Sequence, residues 1–253
     1  ALQAVAHLSD IAINQLKLNT LNGTADLTGK LNWRDGVEWN GHLALAKMPL
    51  NAYLADFPAI ISGSLNSQGR INQSKPEISV SDIDLQGSLS QRPLSLTGNL
   101  HMAEQPLLNI PQLTFTYGDN KINVQGNLGS VSDFTLDINA PNLSGLLTGL
   151  SASVNGKGTV TGNIMHPNLV VDLTVKQFHF HDIDLAQTSI KGQLNTEQRI
   201  QGQLNAHLNG FHYNDIKVNS LQLSASGDEQ KHNLQLIRSE ERRVGKECAS
   251  MCR

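Results

Sequence analysis

Cysteine is absent from the first 237 residues of this 253-residue chain; both thiols, Cys248 and Cys252, lie near the C-terminus. A disulfide framework, a zinc ribbon and a cysteine nucleophile are therefore excluded for most of the chain, and avoidance of thiols fits an oxidising compartment. Aromatic residues make up only 4% and the formal net charge is −3. A nucleic-acid binder needs a basic footprint and stacking platforms, and neither is present. No uninterrupted apolar run is long enough to cross a bilayer as a helix. No Gly-x-Ser-x-Gly elbow occurs, so serine-hydrolase chemistry has no nucleophile. A signal peptide is not evident either: the chain opens on Ala1 in the middle of an alternating pattern, and its beginning is expected to be internal to a longer protein.

What is present, almost throughout, is strict alternation. Leu113, Phe115 and Tyr117, then Ile122 and Val124, Phe134, Leu136 and Ile138, Leu169, Val171, Leu173 and Val175, and Leu204, Ala206 and Leu208 each place apolar side chains on one face of a strand. The phase slips after Val175, where apolar residues move to Phe178 and Phe180 and then to Ile183 and Leu185. Bulges or breaks near Lys176 and Asp182 would restore one apolar face. Asn-Gly at 22–23, 40–41, 155–156 and 209–210, with Asp35-Gly36, predicts antiparallel hairpins joining short strands, on the order of 20 at five to six residues each.

A long repeat emerges when proline and glycine are aligned. Pro49 leads a leucine-bearing stretch to Gly63 and Gly69, and Pro141 leads another to Gly156 and Gly162. The stretches near 49–58 and 141–150 are the only expected helical turns. Asp82-Ile83-Asp84-Leu85 and Asp182-Ile183-Asp184-Leu185 echo one another. On this reading residues 1–140 form a first β segment with a repeat unit starting near 49, and residues 141–237 form a second unit of the same continuous structure. With so little helix to cover an apolar face, the sheet must close into a barrel, split into a sandwich or curl into a trough.

Residues 238–253 break the pattern. The run from Arg238 to Cys248 has dense mixed charge and no alternation, and it resembles the translation of a common sequencing adapter. Residues 238–253 are accordingly expected to be a non-native, disordered tail outside the functional reading.

Several constellations carry less than their residue types promise. Gly149 to Gly158 lacks phosphate-loop spacing, and Lys157 precedes Gly158 where Ser or Thr is needed. His179, His181 and Asp182 could begin a metal site, but no further ligands stand at recognisable spacing, so no metal and no cofactor are expected. Asp82, Asp84, Asp182 and Asp184 read as solvent-facing carboxylates rather than an acid/base pair, and catalysis is not expected. Trp33 and Trp39 flank the Asp35-Gly36 turn and read as caps on a hairpin's apolar face.

The segment Gly156-Lys157-Gly158-Thr159-Val160-Thr161-Gly162-Asn163-Ile164-Met165-His166-Pro167-Asn168-Leu169, continuing to Ile190-Lys191-Gly192-Gln193-Leu194, resembles the recurring unit of the TamB family. These translocation and assembly module subunits are related to the wider AsmA-like, bridge-like lipid transfer proteins. The similarity runs from about Leu16 to Leu236 and rests on the order and repetition of short motifs. The resemblance implies an internal fragment of an all-β, elongated, curled antiparallel sheet, an open trough with repeated units and very little helix. It further implies a full-length protein anchored in the inner membrane of a Gram-negative bacterium and crossing the periplasm. Such a protein carries phospholipid acyl chains and meets an outer-membrane barrel of the BamA/TamA type through parts absent here. The expected groove residues are Ile122, Val124, Phe134, Leu136, Ile138, Leu169, Val171, Leu173 and Val175. The competing expectation is an extracellular β-solenoid of the adhesin or autotransporter-passenger kind, which would show a short coil period and parallel strands.

Overall fold

The computed structural model describes residues 1–19, 22–52, 57–72, 75–197 and 199–239. Among these, sixteen strands form one sheet in unbroken sequence order, every neighbouring pair antiparallel. The strands are β1 (Leu2–Ala6), β2 (Asp10–Asn19), β3 (Thr24–Asn32), β4 (Val37–Pro49), β5 (Ala59–Asn72), β6 (Lys75–Leu89), β7 (Arg92–Met102) and β8 (Leu108–Tyr117), followed by β9 (Asn120–Leu128), β10 (Ser132–Ala140), β11 (Ser151–Asn163), β12 (His166–Phe180), β13 (Ile183–Asn195), β14 (Gln201–Tyr213), β15 (Ile216–Asp228) and β16 (His232–Ser239). The sheet does not close: β1 pairs only with β2 and β16 only with β15. Of the three architectures the alternation allowed, the curled, open trough is the one formed. A parallel solenoid is ruled out by the antiparallel ladder. Among the described residues no helix is long and apolar enough to cross a membrane.

Most strands are far longer than the expected five to six residues, because three of the Asn-Gly dipeptides lie inside them. Gly41 is in β4, Gly156 in β11 and Gly210 in β14. Backbone proximity explains Gly156, where a Cβ would come within 2.6 Å of the Asp172 carbonyl oxygen. The hairpins are instead closed by Ser90-Gln91, Gly118-Asp119, Ile164-Met165, His181-Asp182 and Asn214-Asp215. Asp35-Gly36 does fall between β3 and β4. The slip after Val175 is a bulge at Gln177, whose φ is 50°, and the second slip is the β12–β13 turn itself. Beyond the bulge, Phe178 pairs with Leu185 and Phe180 with Ile183, which returns the aromatics to the apolar face.

Turns alternate between the two long rims of the trough. At one rim, two longer connections fold inward. The first contains a single 3-10 turn, Leu50–Ala52; the rest of the helical expectation for 49–58 falls partly outside the described residues. The second, 141–150, is not helical. Leu146 N–H donates to Leu143 O and Leu150 N–H to Leu147 O, both at 3.1 Å, and the third residue of each turn is a glycine with positive φ, Gly145 at 81° and Gly149 at 78°. Two successive turns of type II character replace the helix, because a left-handed residue at that position cannot continue one.

These connections cover a core built on β5 to β8. Ala59, Leu89, Leu94 and Tyr117 are buried, and Leu50, Phe57 and Leu146 pack on them. Polar contacts fasten the second connection in place. Tyr117 Oη donates to Ser144 O at 3.0 Å, Ser90 Oγ to Gly145 O at 2.9 Å, and Asn142 N–H to Asn120 Oδ1 at 2.8 Å.

Gly63 and Gly156 belong to one cross-strand row, described below. The Asp-Ile-Asp-Leu echo has no such equivalence, since the first copy lies within β6 while the second straddles the β12–β13 turn. The sheet continues without interruption past residue 140, where Ala140 pairs with Val154. At the C-terminal side, regular structure was expected to stop at Ile237. It extends two residues further, because Arg238 and Ser239 complete the β15–β16 ladder opposite Leu221 and Ser220. The remainder of the expected tail lies outside the described residues.

Candidate functional site: an apolar lane across the sheet

Strand register turns the alternation into rows that run perpendicular to the strands. One row passes through Leu18, Ala25, Leu45, Gly63, Leu85, Leu96, Phe115, Ile122 and Ile138, each the direct cross-strand partner of the next. It continues through Gly156, Leu173, Ile190, Ala206, Leu223 and Leu236. No polar side chain interrupts it from β2 to β16. At about 4.8 Å per strand the row measures about 65 Å along the curve of the sheet. A second row lies beside it: Ile83, Gly98, Leu113, Val124, Leu136, Gly158, Val171, Gly192, Leu204, Ala225 and Leu234.

All nine groove residues expected from the sequence stand on this face, spread over four rows. Ile122, Ile138 and Leu173 are in the first row, and Val124, Leu136 and Val171 in the second. Phe134 and Leu169 share a third through Val160, and Val175 joins Val154 and Ala140 in a fourth. The opposite face has the reverse character. Lys157 stands between Asp137 and Asp172, and Asp172 pairs with Lys191. Lys157 Nζ lies 3.4 Å from Asp137, and Lys191 Nζ 3.0 Å from Asp172. These pairs are well exposed and add little stability; their effect is to keep the outer face wet.

The two halves of the trough differ in packing. Among the described residues, every buried hydrophobic side chain lies between Ala25 and Ala152. Beyond that the inner face is only partly covered, and an apolar recess of about 650 Å³ opens over β12 to β16. Leu169, Val171, Gly192, Leu194, Ile200, Gly202, Leu204, Ala225 and Leu234 line it. Of the nine expected residues only Leu169 and Val171 reach this recess. The others on its walls were missed for identifiable reasons: Gly192 and Gly202 have no side chain to reveal a face, and Ile200 belongs to a turn. The alternation Leu204, Ala206, Leu208 was the usable signal. Asp228 borders one end of the recess; hydrogen bonds from the Lys231 and Gln230 backbone N–H groups hold its carboxyl below its ordinary pKa.

The remaining polar candidates are accounted for by local contacts. His179 Nδ1 lies 2.7 Å from Asp184 Oδ1 and His212 Nδ1 3.8 Å from Asp184 Oδ2, on the outer face, while His181 sits in the turn with its ring edge-on to Phe180. No group of three or more potential ligands among the described residues has the geometry to hold a metal ion. Asp82 accepts from Asn66 Nδ2 at 2.7 Å and Asp84 from Gln86 Nε2 at 3.0 Å. Trp33 donates through Nε1 to Leu8 O at 3.2 Å; Trp39 donates to Ser67 Oγ, and its ring lies over Gly69.

Residues 1–244 match the family model for the TamB N-terminal domain, past the point where the tail was expected to begin. A curated relative, the translocation and assembly module subunit TamB of Haemophilus influenzae, is 38% identical over 92% of this chain. The uncharacterized protein BU087 of Buchnera aphidicola is 20% identical over 69% of it. The chain spans only 18% of the length of each of these two relatives. No solved structure matches.

Proposed function

Because the chain belongs to the TamB N-terminal domain family, we propose that it is a stretch of a periplasm-spanning protein that carries phospholipid between the inner and outer membranes along an apolar β-groove and supports outer-membrane protein assembly. The observation that carries this reading is the uninterrupted apolar row from Leu18 to Leu236, flanked by a second apolar row and backed by a charged outer face. A soluble protein that leaves so long an apolar face only partly covered needs an apolar occupant for it. Acyl chains suit it because they supply contact without demanding shape complementarity. In this reading the chain performs no catalysis. The inner-membrane anchor and the contact with an outer-membrane barrel of the BamA/TamA type belong to other parts of the full-length protein. The printed name of the Haemophilus influenzae relative, a subunit of a translocation and assembly module, supports that partnership.

A charge in the lane tests the proposal. A carboxylate at Val171 would have to be desolvated beside passing acyl chains, at a cost of at least about 2 to 7 kcal/mol, the range for a neutral polar group. In cells whose only copy is the full-length protein with Val171→Asp, pulse-labelled phospholipid should reach the outer membrane more slowly. Asp172→Asn, one residue away on the outer face, should leave delivery unchanged. Equal delivery in both variants would count against a lipid path through this stretch.

A further inference from the structure

Side-chain bulk falls away across the floor of the open half of the trough. Toward the rim formed by the β12–β13 and β14–β15 turns, Phe178, Leu185 and Phe211 stand in one row. Toward the other rim, the second lane row reads Gly158, Val171, Gly192, Leu204, Ala225, and the row after it runs through Leu194, Gly202, Gly227 and His232. The recess lies over Gly192, Gly202 and Gly227.

Backbone conformation does not require glycine at the first two of them: Gly192 and Gly202 both lack a left-handed φ. A Cβ there would first meet the side-chain ends of Leu204 and Leu194, at 3.1 and 3.2 Å, which can rotate away, and then the Gln203 and Gln193 carbonyl oxygens at 3.4 and 3.3 Å. A missing side chain in a strand interior weakens the strand. What it provides here is a lowered floor, walled by Leu169, Leu194 and Leu204.

We infer that Gly192 and Gly202 form a seat for one acyl chain of a diacyl glycerophospholipid, a place where lipid dwells instead of sliding past. The inference rests on the proposal that the trough takes lipid, and adds where lipid stops and which residues make it stop. Three features fit this occupant. The volume, about 650 Å³, falls within the usual range of small-molecule sites. The seat is continuous with the apolar lane through Val171 and Leu204. It is also open along its length, so a bulky polar head stays in water while the chain is covered, which a free fatty acid would not require.

The test uses the full-length protein in cells, with a photo-crosslinking residue at Leu204 inside the seat or at Leu85 in the packed half of the lane, and mass spectrometry of the adducts. In an otherwise unaltered protein both positions should capture diacyl glycerophospholipid, Leu204 the more strongly. Gly202→Leu fills the floor and should reduce capture at Leu204 about tenfold, the effect of losing contact with about two methylenes, while capture at Leu85 persists. Unchanged capture at Leu204 in Gly202→Leu, with Leu85 still labelled, would overturn the seat and leave the lipid path standing. No capture at either position in the unaltered protein would remove both. Adducts at Leu204 consisting only of free fatty acid would overturn the phospholipid assignment. Loss at both positions in Gly202→Leu would signal a damaged sheet. Gly192→Ala, which adds one methyl beside the ends of Leu204 and Val171, must then reproduce the selective loss at Leu204 or the inference fails.

Discussion

Asn120 and Tyr117 show how much of this molecule's stability depends on polar groups that alternation does not reveal. Asn120 is 2% exposed; its Nδ2 donates to Tyr117 O and Asn142 O, and its Oδ1 accepts from Asn142 N–H. Tyr117 is fully buried and its hydroxyl donates to Ser144 O. Replacing Asn120 by Ala strips partners from two carbonyls and one N–H, and should destabilise the protein by about 2 to 3 kcal/mol. Tyr117→Phe removes one donor and should cost about 1 kcal/mol. Denaturant midpoints of the two variants should fall in that order; a larger loss for Tyr117→Phe would contradict the bonding assigned to Asn120. The inner-face aliphatics, by contrast, were legible from the sequence, because period-2 alternation assigns a face to every residue with a side chain. The glycines of the recess were not, since a residue without a side chain reads as punctuation whether it turns the chain or lines a floor.

Element boundaries were legible where turn chemistry is local and illegible where the neighbouring strand decides. The bulge at Gln177 followed from a phase slip within one strand. The position of Asn155-Gly156 inside β11 did not, because the backbone of β12 is what excludes a side chain there. At 141–150 the leucines imitated a helical face, yet Gly145 and Gly149 hold left-handed φ and convert the segment into two turns. The converse occurs in the β6–β7 hairpin, where Ser90 and Gln91 have φ of 51° and 65° without being glycine. Holding a residue with a side chain in that region costs roughly 1 to 2 kcal/mol, and the two-residue turn with positive φ at both positions favours Asn-Gly. Gln91→Gly should therefore raise stability by about 0.5 kcal/mol after the entropy cost of glycine is deducted, leaving the Ser90 hydroxyl free to keep its bond to Gly145 O. Thermal unfolding of that variant checks it; a lower midpoint would mean the turn is not strained.

Across the whole molecule, one sheet carries an apolar face from β2 to β16, backed across β10 to β13 by a charged one. Alternation predicted the existence of the apolar face but left barrel, sandwich and trough open, because period 2 is the same in all three. The register decides, and with it comes the continuity of the rows: fifteen strands contribute one residue each to a line with no polar member. Burial is uneven across the sheet: among the described residues every buried hydrophobic side chain falls between Ala25 and Ala152, and the recess opens beyond them. The most direct test of the lipid path places a photo-crosslinking residue on either face of the same strands in the full-length protein. At Leu136 or Val171, on the inner face, it should capture phospholipid in cells; at Asp137 or Asp172, on the outer face, it should not. Equal labelling of the two faces, or none on either, would contradict the account.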